Sequence, residues 1–229
     1  MTVAGFPATK PARMVAPDAA IELVTDDPAW ASRAGAKLDA ALDRFEIDVA
    51  DRRVLDVGAS TGGFTDVVLR RGAASVVAVD VGYGQMVTRL ATDPRVSVVD
   101  RTNIRHADPG ELGAPFDVVT VDVSFISVAT LAEQLAAMGR DGTDFVILVK
   151  PQFEAGREAV GRGGIVTDPE AHASAVSAVV DALAAVGAGA VGVMASPITG
   201  TKGNREFLVH ARFGVATSVS GVSIDEVAQ

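Results

Sequence analysis

The chain contains no cysteine, which excludes disulfides and thiolate metal sites. Its three histidines, His106, His172 and His210, lack the short spacing of a metal-binding motif, so we expect no metal. No stretch of 18 uncharged apolar residues exists, and residues 1–20 lack the apolar segment of a signal peptide. These absences predict a cytoplasmic protein that uses neither a metal nor a membrane.

Positive charge is also scarce, because 20 lysines and arginines face 29 acidic residues and leave a net charge of −9. Phosphate binding needs clustered positive charge, so a nucleic-acid site would have to be local or be helped by another domain. Lysine is rarer still: beside sixteen arginines the chain has Lys10, Lys37, Lys150 and Lys202. Because a desolvated lysine can change its protonation state and arginine cannot, these four are candidates for chemistry.

Strand-like and helical patterns alternate along the chain, whose 229 residues and 48% hydrophobic content allow one main domain. The predicted strands cover 54–57, 76–79, 96–99, 118–121, 145–149, 191–195 and 206–212. The predicted helices begin at Ser32 and then cover 63–71, 85–91, 128–138 and 169–186. This alternation predicts an α/β fold with a doubly wound, Rossmann-like, seven-stranded and mostly parallel sheet carrying helices on both faces.

Three segments are expected to differ from this domain, which we place at 29–213. Residues 1–28 contain four prolines and no helical pattern, which indicates an arm. Residues 151–168 contain four glycines after the fifth strand and are predicted to form a mobile lid. Residues 214–229, rich in serine and valine, are expected to be disordered.

A turn of small residues joins the first predicted strand to the following helix within 54–65. Its glycines allow close backbone approach to a ligand, and the N–H groups of the next helix point into the crevice. The spacing fits neither a dinucleotide nor a Walker motif, and Asp56 suits an amino group or a sulfonium better than a pyrophosphate. The turn resembles motif I of S-adenosylmethionine-dependent methyltransferases, with predicted cofactor contacts at Asp56, Gly58, Ala59, Ser60, Gly62, Gly63 and Phe64.

Polar residues follow the next strands, where ligands lie in such sheets. Asp80 comes 22 residues after Gly58, a spacing at which a carboxylate accepts the ribose hydroxyls of an adenosine. Its alternative role is a helix N-cap. Val81 is predicted to belong to the same cofactor site. Asn103 is predicted either to bind the adenine edge or to stabilise a turn.

Two acids and two lysines are expected around one mouth of the sheet. Asp122 ends the fourth strand and Lys150 the fifth, Glu206 starts the last strand, and Lys37 enters from the first helix. Asp122 is also predicted to contact the cofactor.

At this point the chain resembles the TlyA-type ribosomal-RNA 2′-O-methyltransferases, also called hemolysin A, whose catalytic domain is similar to the FtsJ group. The resemblance spans 30–212 through the blocks SRAGAKL at 32, DVGASTGGFT at 56, DVGYGQ at 80, RTN at 101, DVSFIS at 122, VKPQFE at 149 and GNREF at 203. It implies a class I methyltransferase fold, S-adenosylmethionine as the methyl donor, and a catalytic tetrad at Lys37, Asp122, Lys150 and Glu206.

The resemblance also implies a substrate, namely the ribose 2′-hydroxyl of a cytidine in 16S or 23S ribosomal RNA, or both, with ribosomal RNA or subunits as the partner. The family begins with a small RNA-binding S4 domain. Residues 2–11 resemble the end of such a domain. We therefore expect 1–28 to be the remnant of a truncated S4 domain; the alternative is that this protein works without that domain.

The mechanism and some neighbouring residues leave alternatives open. A ribose hydroxyl is a poor nucleophile, so Lys150 is predicted either to remove its proton or to orient it. The tetrad could instead be a charge network that only stabilises the fold. The aromatic residues Phe125, Phe153 and Phe207 either stack on the target base or pack in the core. In the glycine-rich segment, Arg157 and Arg162 either bind phosphates or are simply solvated.

Two other functions remain in view. A small-molecule methyltransferase would share the glycine turn and Asp80 but would have no need of the two lysine and acid positions. A membrane-active hemolysin would need an apolar or amphipathic membrane segment, which the sequence does not contain.

Overall fold

The computed structural model describes residues 2–3, 6–7, 14–16, 19, 21–22 and 30–229. Before residue 30, strands β1 (Thr2–Val3), β2 (Phe6–Pro7) and β3 (Ile21–Glu22) pair antiparallel in the order β2-β1-β3. Most of the predicted S4 remnant lies outside the described residues and stays a prediction.

A seven-stranded sheet forms the centre of residues 30–229. Its strands are β4 (Arg53–Val57), β5 (Ser75–Val79), β6 (Val96–Val99), β7 (Val118–Val121), β8 (Asp144–Val149), β9 (Ala188–Ala195) and β10 (Phe207–Phe213). They lie in the order β6-β5-β4-β7-β8-β10-β9. The first five are parallel, and β10 runs antiparallel to both of its neighbours. This topology confirms the predicted doubly wound, mostly parallel sheet.

Helices cover both faces of the sheet. The helices are α1 (Ala34–Arg44), α2 (Gly63–Arg70), α3 (Thr88–Ala91), α4 (Pro109–Leu112), α5 (Ala132–Ala136), α6 (Pro151–Glu154), α7 (Pro169–Ala185) and α8 (Gly221–Ala228). Side chains of α1, α2 and α3 form one apolar core, whereas those of α4, α5, α7 and α8 form the other. Strand β4 contributes Val54 to the first core, and Leu55 and Val57 to the second. Alternate residues of a buried parallel strand thus face both layers.

Two helices are shorter than their apolar patterns predict. The helix expected at 85–91 begins only at Thr88, because the preceding chain forms a series of bends, which include Gly84 at φ +64°, and Val87 has extended backbone angles. The helix expected at 128–138 starts as a 3₁₀ turn, Ala129–Leu131, and becomes α-helical at α5. Both ends are set by local backbone geometry that apolar spacing does not encode.

The C-terminal tail, expected to be disordered, folds against the domain. Helix α8 buries Ile224 and Ala228 and packs on α7 and β9. The Arg205 guanidinium donates hydrogen bonds to the carbonyl oxygens of Val227 (3.2 Å) and Ala228 (3.0 Å), where a cation complements the helix C-terminus. The expectation of disorder is wrong, because these contacts with α7, β9 and Arg205 hold the tail as a helix, and the domain extends beyond residue 213.

Candidate active site

The strand ends that carry the predicted site residues meet at one edge of the sheet. Strand β4 lies between β5 and β7, and a crevice opens where the connections diverge from it. A cavity of about 620 Å³, which we call the tetrad cavity, lies there between the glycine turn, the end of β8 and the β9–β10 turn. A second cleft of about 310 Å³, the adjoining cleft, shares with it the wall residues Gly58, Ser60, Asp122, Ser124 and Phe125.

All four predicted tetrad residues line the tetrad cavity. The Lys150 ammonium lies 2.6 Å from Asp122 Oδ1 and donates to Ser124 Oγ at 2.8 Å. The Lys37 ammonium donates to Glu206 Oε2. Each buried lysine therefore has its own carboxylate, which compensates the cost of removing these charges from water. Sequence reasoning did not identify Ser124, although it follows Asp122 by two residues in the same strand-end turn.

The packing of α1 brings Lys37 to this site. Leu38, Ala41 and Leu42 of α1 are buried in the core shared with α2. A side chain at Gly35 would overlap the Trp30 ring, so the glycine lets Trp30 pack directly on the helix. With this face fixed against the domain, Lys37 reaches Glu206 at the amino end of β10.

The glycine turn shapes the wall shared by the tetrad cavity and the adjoining cleft. Gly58 has φ +84°, and a Cβ there would overlap the Asp122 carbonyl, so only glycine lets the ends of β4 and β7 approach this closely. Of the predicted contacts in the turn, Gly58, Ala59, Ser60, Gly63 and Phe64 line the tetrad cavity. Gly62 lines neither space. It has φ +96°, and a Cβ there would lie 2.5 Å from Leu90.

Asp56 does not face the cavity, in contrast to the expectation from the sequence. Its side chain is fully buried and accepts hydrogen bonds from the hydroxyls of Thr65 (2.6 Å) and Thr120 (3.1 Å). Burial raises the pKa of Asp56 to about 6, although the two hydroxyls act in the opposite direction. The carboxylate thus joins β4 to α2 and β7 beneath the glycine turn, and its contacts are with the protein.

The adjoining cleft contains the residues predicted to hold an adenosine, namely Asp80, Val81 and Asn103. Asp80 accepts hydrogen bonds from the N–H groups of Ser60 (2.9 Å) and Gly82 (2.7 Å). Because the next α-helix begins only at residue 88, Asp80 is not its N-cap. Asn103 Oδ1 accepts from the Arg105 N–H at 3.1 Å and so stabilises a 3₁₀ turn, while its side chain also borders the cleft.

The three aromatic candidates occupy different environments. Phe207 is fully buried in the core, which excludes base stacking by this ring. Phe125 is 91% exposed at φ +67°, a backbone conformation that few non-glycine residues adopt. Its ring centroid lies 5.3 Å from that of Phe153, and both side chains line the tetrad cavity. The exposed apolar surface at the cavity mouth is therefore centred on Phe125.

The segment predicted as a lid is tied to the domain at both ends. Glu154 of α6 accepts hydrogen bonds from the Ser127 hydroxyl (2.6 Å) and the Val128 N–H (2.7 Å). Asn204 accepts from the Val166 N–H (2.9 Å) and donates to the Gly164 carbonyl (2.8 Å). The segment contains α6 and two 3₁₀ turns, and its mobility stays a prediction.

Of the two arginines predicted as phosphate ligands in this segment, the structure describes the side chain of Arg162. Arg162 is exposed and lines neither the tetrad cavity nor the adjoining cleft. The side chain of Arg157 lies outside the described part of the chain.

The doubly wound sheet, with the glycine turn after β4 and β10 antiparallel beside β8, has the architecture of the class I methyltransferases. The model of the FtsJ-like methyltransferase family matches residues 30–213. The chain belongs to this family and is a methyltransferase.

Individual relatives agree with this assignment. The chain is 48% identical over 223 residues to the 16S/23S rRNA (cytidine-2′-O)-methyltransferase TlyA of Mycobacterium tuberculosis, which covers 97% of this chain and 83% of the relative. It is 38% identical to hemolysin A of Brachyspira hyodysenteriae, over 79% of this chain and 76% of that protein. A solved structure of a Streptococcus thermophilus protein assigned as a hemolysin has a TM-score of 0.84 and 42% identity, over 87% of this chain and 73% of that one.

The hemolysin names raise the question of a membrane segment. In the part of the chain that the structure describes, every helix is too short or too polar to cross a lipid bilayer.

Proposed function

We propose that this methyltransferase transfers the methyl group of S-adenosylmethionine to the ribose 2′-hydroxyl of a cytidine in 16S or 23S ribosomal RNA, or both. The observation that carries the proposal is the convergence of Lys37, Asp122, Lys150 and Glu206 in one cavity that borders the glycine turn. The name of the Mycobacterium tuberculosis relative describes this reaction for that protein.

The residues present suit S-adenosylmethionine. The adjoining cleft offers apolar walls from Val81, Ile104 and Ile126 for an adenine ring, with Asp80 and Asn103 as polar partners for an adenosine. The glycine turn and Phe64 provide the wall toward the tetrad. When bound, this cofactor supplies an electrophilic methyl group on a sulfonium.

We assign Lys150 the role of orienting the acceptor hydroxyl. An ammonium has three N–H donors, and Asp122 and Ser124 engage two of them. The third donor is left for a hydroxyl oxygen in the cavity. Because Asp122 and Ser124 engage the ammonium and leave one N–H donor for the hydroxyl oxygen, we assign Lys150 to positioning the hydroxyl rather than to removing its proton. The carboxylates of Asp122 and Glu206 are the anionic acceptors in the cavity for the proton that leaves.

Replacing Lys150 tests this assignment. Lys150→Ala should abolish methylation of ribosomal subunits while the dissociation constant for S-adenosylmethionine, measured by calorimetry, stays at the wild-type value. Lys150→Gln keeps hydrogen-bond donors toward Asp122 and Ser124 without the charge, and serves as a second variant in case alanine disturbs folding. Near-normal turnover by either folded variant would sink the mechanism, and methylation of small metabolites in place of RNA would favour the small-molecule alternative.

A further inference from the structure

Two cations at the rim of the tetrad cavity form no ion pair with a carboxylate among the described residues. Lys37 and Lys150 are paired with Glu206 and Asp122, whereas Arg33 and Lys202 have no ion pair there. Both are exposed to solvent. The two lysines and two carboxylates of the tetrad have no net charge, so Arg33 and Lys202 give the residues that line the cavity a net charge of +2. The chain as a whole has a net charge of −9.

Several other arginines in the described ranges have acidic partners. Ion pairs join Arg52 to Asp144, Arg70 to Asp66, Arg71 to Asp39, Arg95 to Asp93 and Arg140 to Asp117. Acidic side chains of this protein therefore neutralise these arginines. Arg33 and Lys202, which form no ion pair among the described residues, lie beside the buried tetrad and can attract an anionic substrate.

The backbone holds Arg33 and Lys202 in defined positions. Arg33 directly precedes α1 and lies four residues before Lys37, so the two side chains share one face of the helix start. Lys202 lies in the β9–β10 turn, where the Gly200 N–H donates to the Asn204 carbonyl (2.9 Å) and the Gly203 N–H to the Gly200 carbonyl (2.8 Å). The side chain of Asn204 ties the same turn to residues 164 and 166.

The turn that holds Lys202 also contacts the tetrad. A Cβ at Gly200 would overlap the Glu206 carboxylate, so the turn lies directly against this residue. The Lys202 ammonium would be 3.9 Å from a Cβ at Gly164, which places it between the turn and the glycine-rich segment. The positive charge thus borders the acceptor half of the site.

We propose that Arg33 and Lys202 form a phosphate clamp that holds the RNA backbone on both sides of the nucleotide whose ribose enters the tetrad cavity. This inference rests on the proposed function. In RNA the 2′-hydroxyl is attached to the carbon next to the one that carries the 3′-phosphodiester, so a ribose at Lys150 brings its phosphates to the cavity rim. The two cations bind these phosphates, and the acidic surface elsewhere disfavours binding in other registers.

The clamp is tested with Arg33→Gln, Lys202→Gln and the double variant. The control is Arg44→Gln, which removes one exposed positive charge from the opposite end of α1. Initial rates on ribosomal subunits at several salt concentrations give KM and kcat, and calorimetry gives the affinity for S-adenosylmethionine. Each single variant should raise the KM for RNA about fivefold, as expected for an exposed ion pair, with kcat and cofactor affinity unchanged. The slope of log KM against log salt should fall by about 1 for each lost contact.

The clamp is refuted if the variants match Arg44→Gln in KM and salt slope, or if either loses affinity for S-adenosylmethionine. Filter binding of ribosomal RNA without turnover separates this proposal from the proposed function. Wild-type protein that binds RNA with the expected salt slope but does not methylate it would overturn the proposed function alone. Equal RNA binding by the wild type and the double variant would overturn the clamp alone.

Discussion

Replacing Asp56 by asparagine should stabilise the protein at pH 8 by about 3 kcal/mol. Burial raises the pKa of Asp56 from 3.8 to about 6, and each pKa unit corresponds to about 1.4 kcal/mol. The folded state therefore binds the proton more tightly than the unfolded state between pH 4 and 6. The free energy of unfolding falls as the pH rises through this window and is level above it. Asparagine is never charged, so it removes this cost.

The surroundings of Asp56 can accept the amide. The Thr65 hydroxyl can still donate to the side-chain oxygen of the asparagine. The Thr120 hydroxyl lies 3.1 Å from Asp56 Oδ1 and 3.4 Å from the Leu55 carbonyl. It can turn its hydrogen toward Leu55 and accept a hydrogen bond from the amide nitrogen. The substitution thus leaves both the oxygen and the nitrogen of the asparagine side chain with a hydrogen-bond partner.

Urea unfolding at several pH values measures the effect, and calorimetry measures the affinity for S-adenosylmethionine. The matched control is Asp66→Asn. Although Asp66 is also buried, Arg89, the Ala31 N–H and Arg70 lower its pKa against the opposing effect of burial. Asp66 therefore stabilises the fold above the pKa of an unfolded aspartate, and its replacement should destabilise the protein at pH 8.

The contacts described for Asp56 predict unchanged cofactor affinity in Asp56→Asn. Lower stability at pH 8 would refute the electrostatic argument. A stable variant that no longer binds the cofactor would show that Asp56 acts on the ligand after all.

Three further changes test the glycine turn, the cavity mouth and the tail. Gly58→Ala should lower the free energy of unfolding by at least about 1–2 kcal/mol, because alanine is strained at this positive φ. It should also reduce cofactor affinity, because the new Cβ would overlap the Asp122 carbonyl. An unchanged affinity in calorimetry and an unchanged midpoint in urea unfolding would contradict this. Phe125→Ala should leave the melting temperature unchanged, since the ring is 91% exposed, but weaken RNA binding by about 1–3 kcal/mol in filter assays; equal binding would exclude stacking. Deleting 214–229 should lower the free energy of unfolding, measured with urea, by about 2–3 kcal/mol from the loss of the buried Ile224 side chain alone. An unchanged urea midpoint would show that α8 does not contribute to stability.

The strands could be predicted from sequence more accurately than the helix ends. Each parallel strand is a short, nearly continuous run of valine and other apolar residues, which buried strands require. The short helices depend on caps and on single backbone angles, such as that of Gly84, which apolar spacing does not reveal. Helix α8 was missed because its stability depends on contacts with α7 and on Arg205, which are distant in sequence.

The tetrad could be located from sequence because all parallel strands end at the same edge of the sheet. The pairing within it could not, since nothing in the spacing indicates that Lys37 pairs with Glu206 and Lys150 with Asp122. The surroundings of Asp56 could not be predicted from the sequence either. Its partners Thr65 and Thr120 lie 9 and 64 residues away, and only the folded structure shows that they enclose its carboxylate.

Mapping 2′-O-methylated nucleotides on ribosomal subunits incubated with the protein and S-adenosylmethionine tests the central claim most directly. The tetrad cavity predicts new 2′-O-methylcytidine in 16S or 23S RNA with the wild-type protein, and none with Lys150→Ala that still binds the cofactor. Unmodified RNA with the wild-type protein, or the same methylated nucleotide with Lys150→Ala, would contradict it.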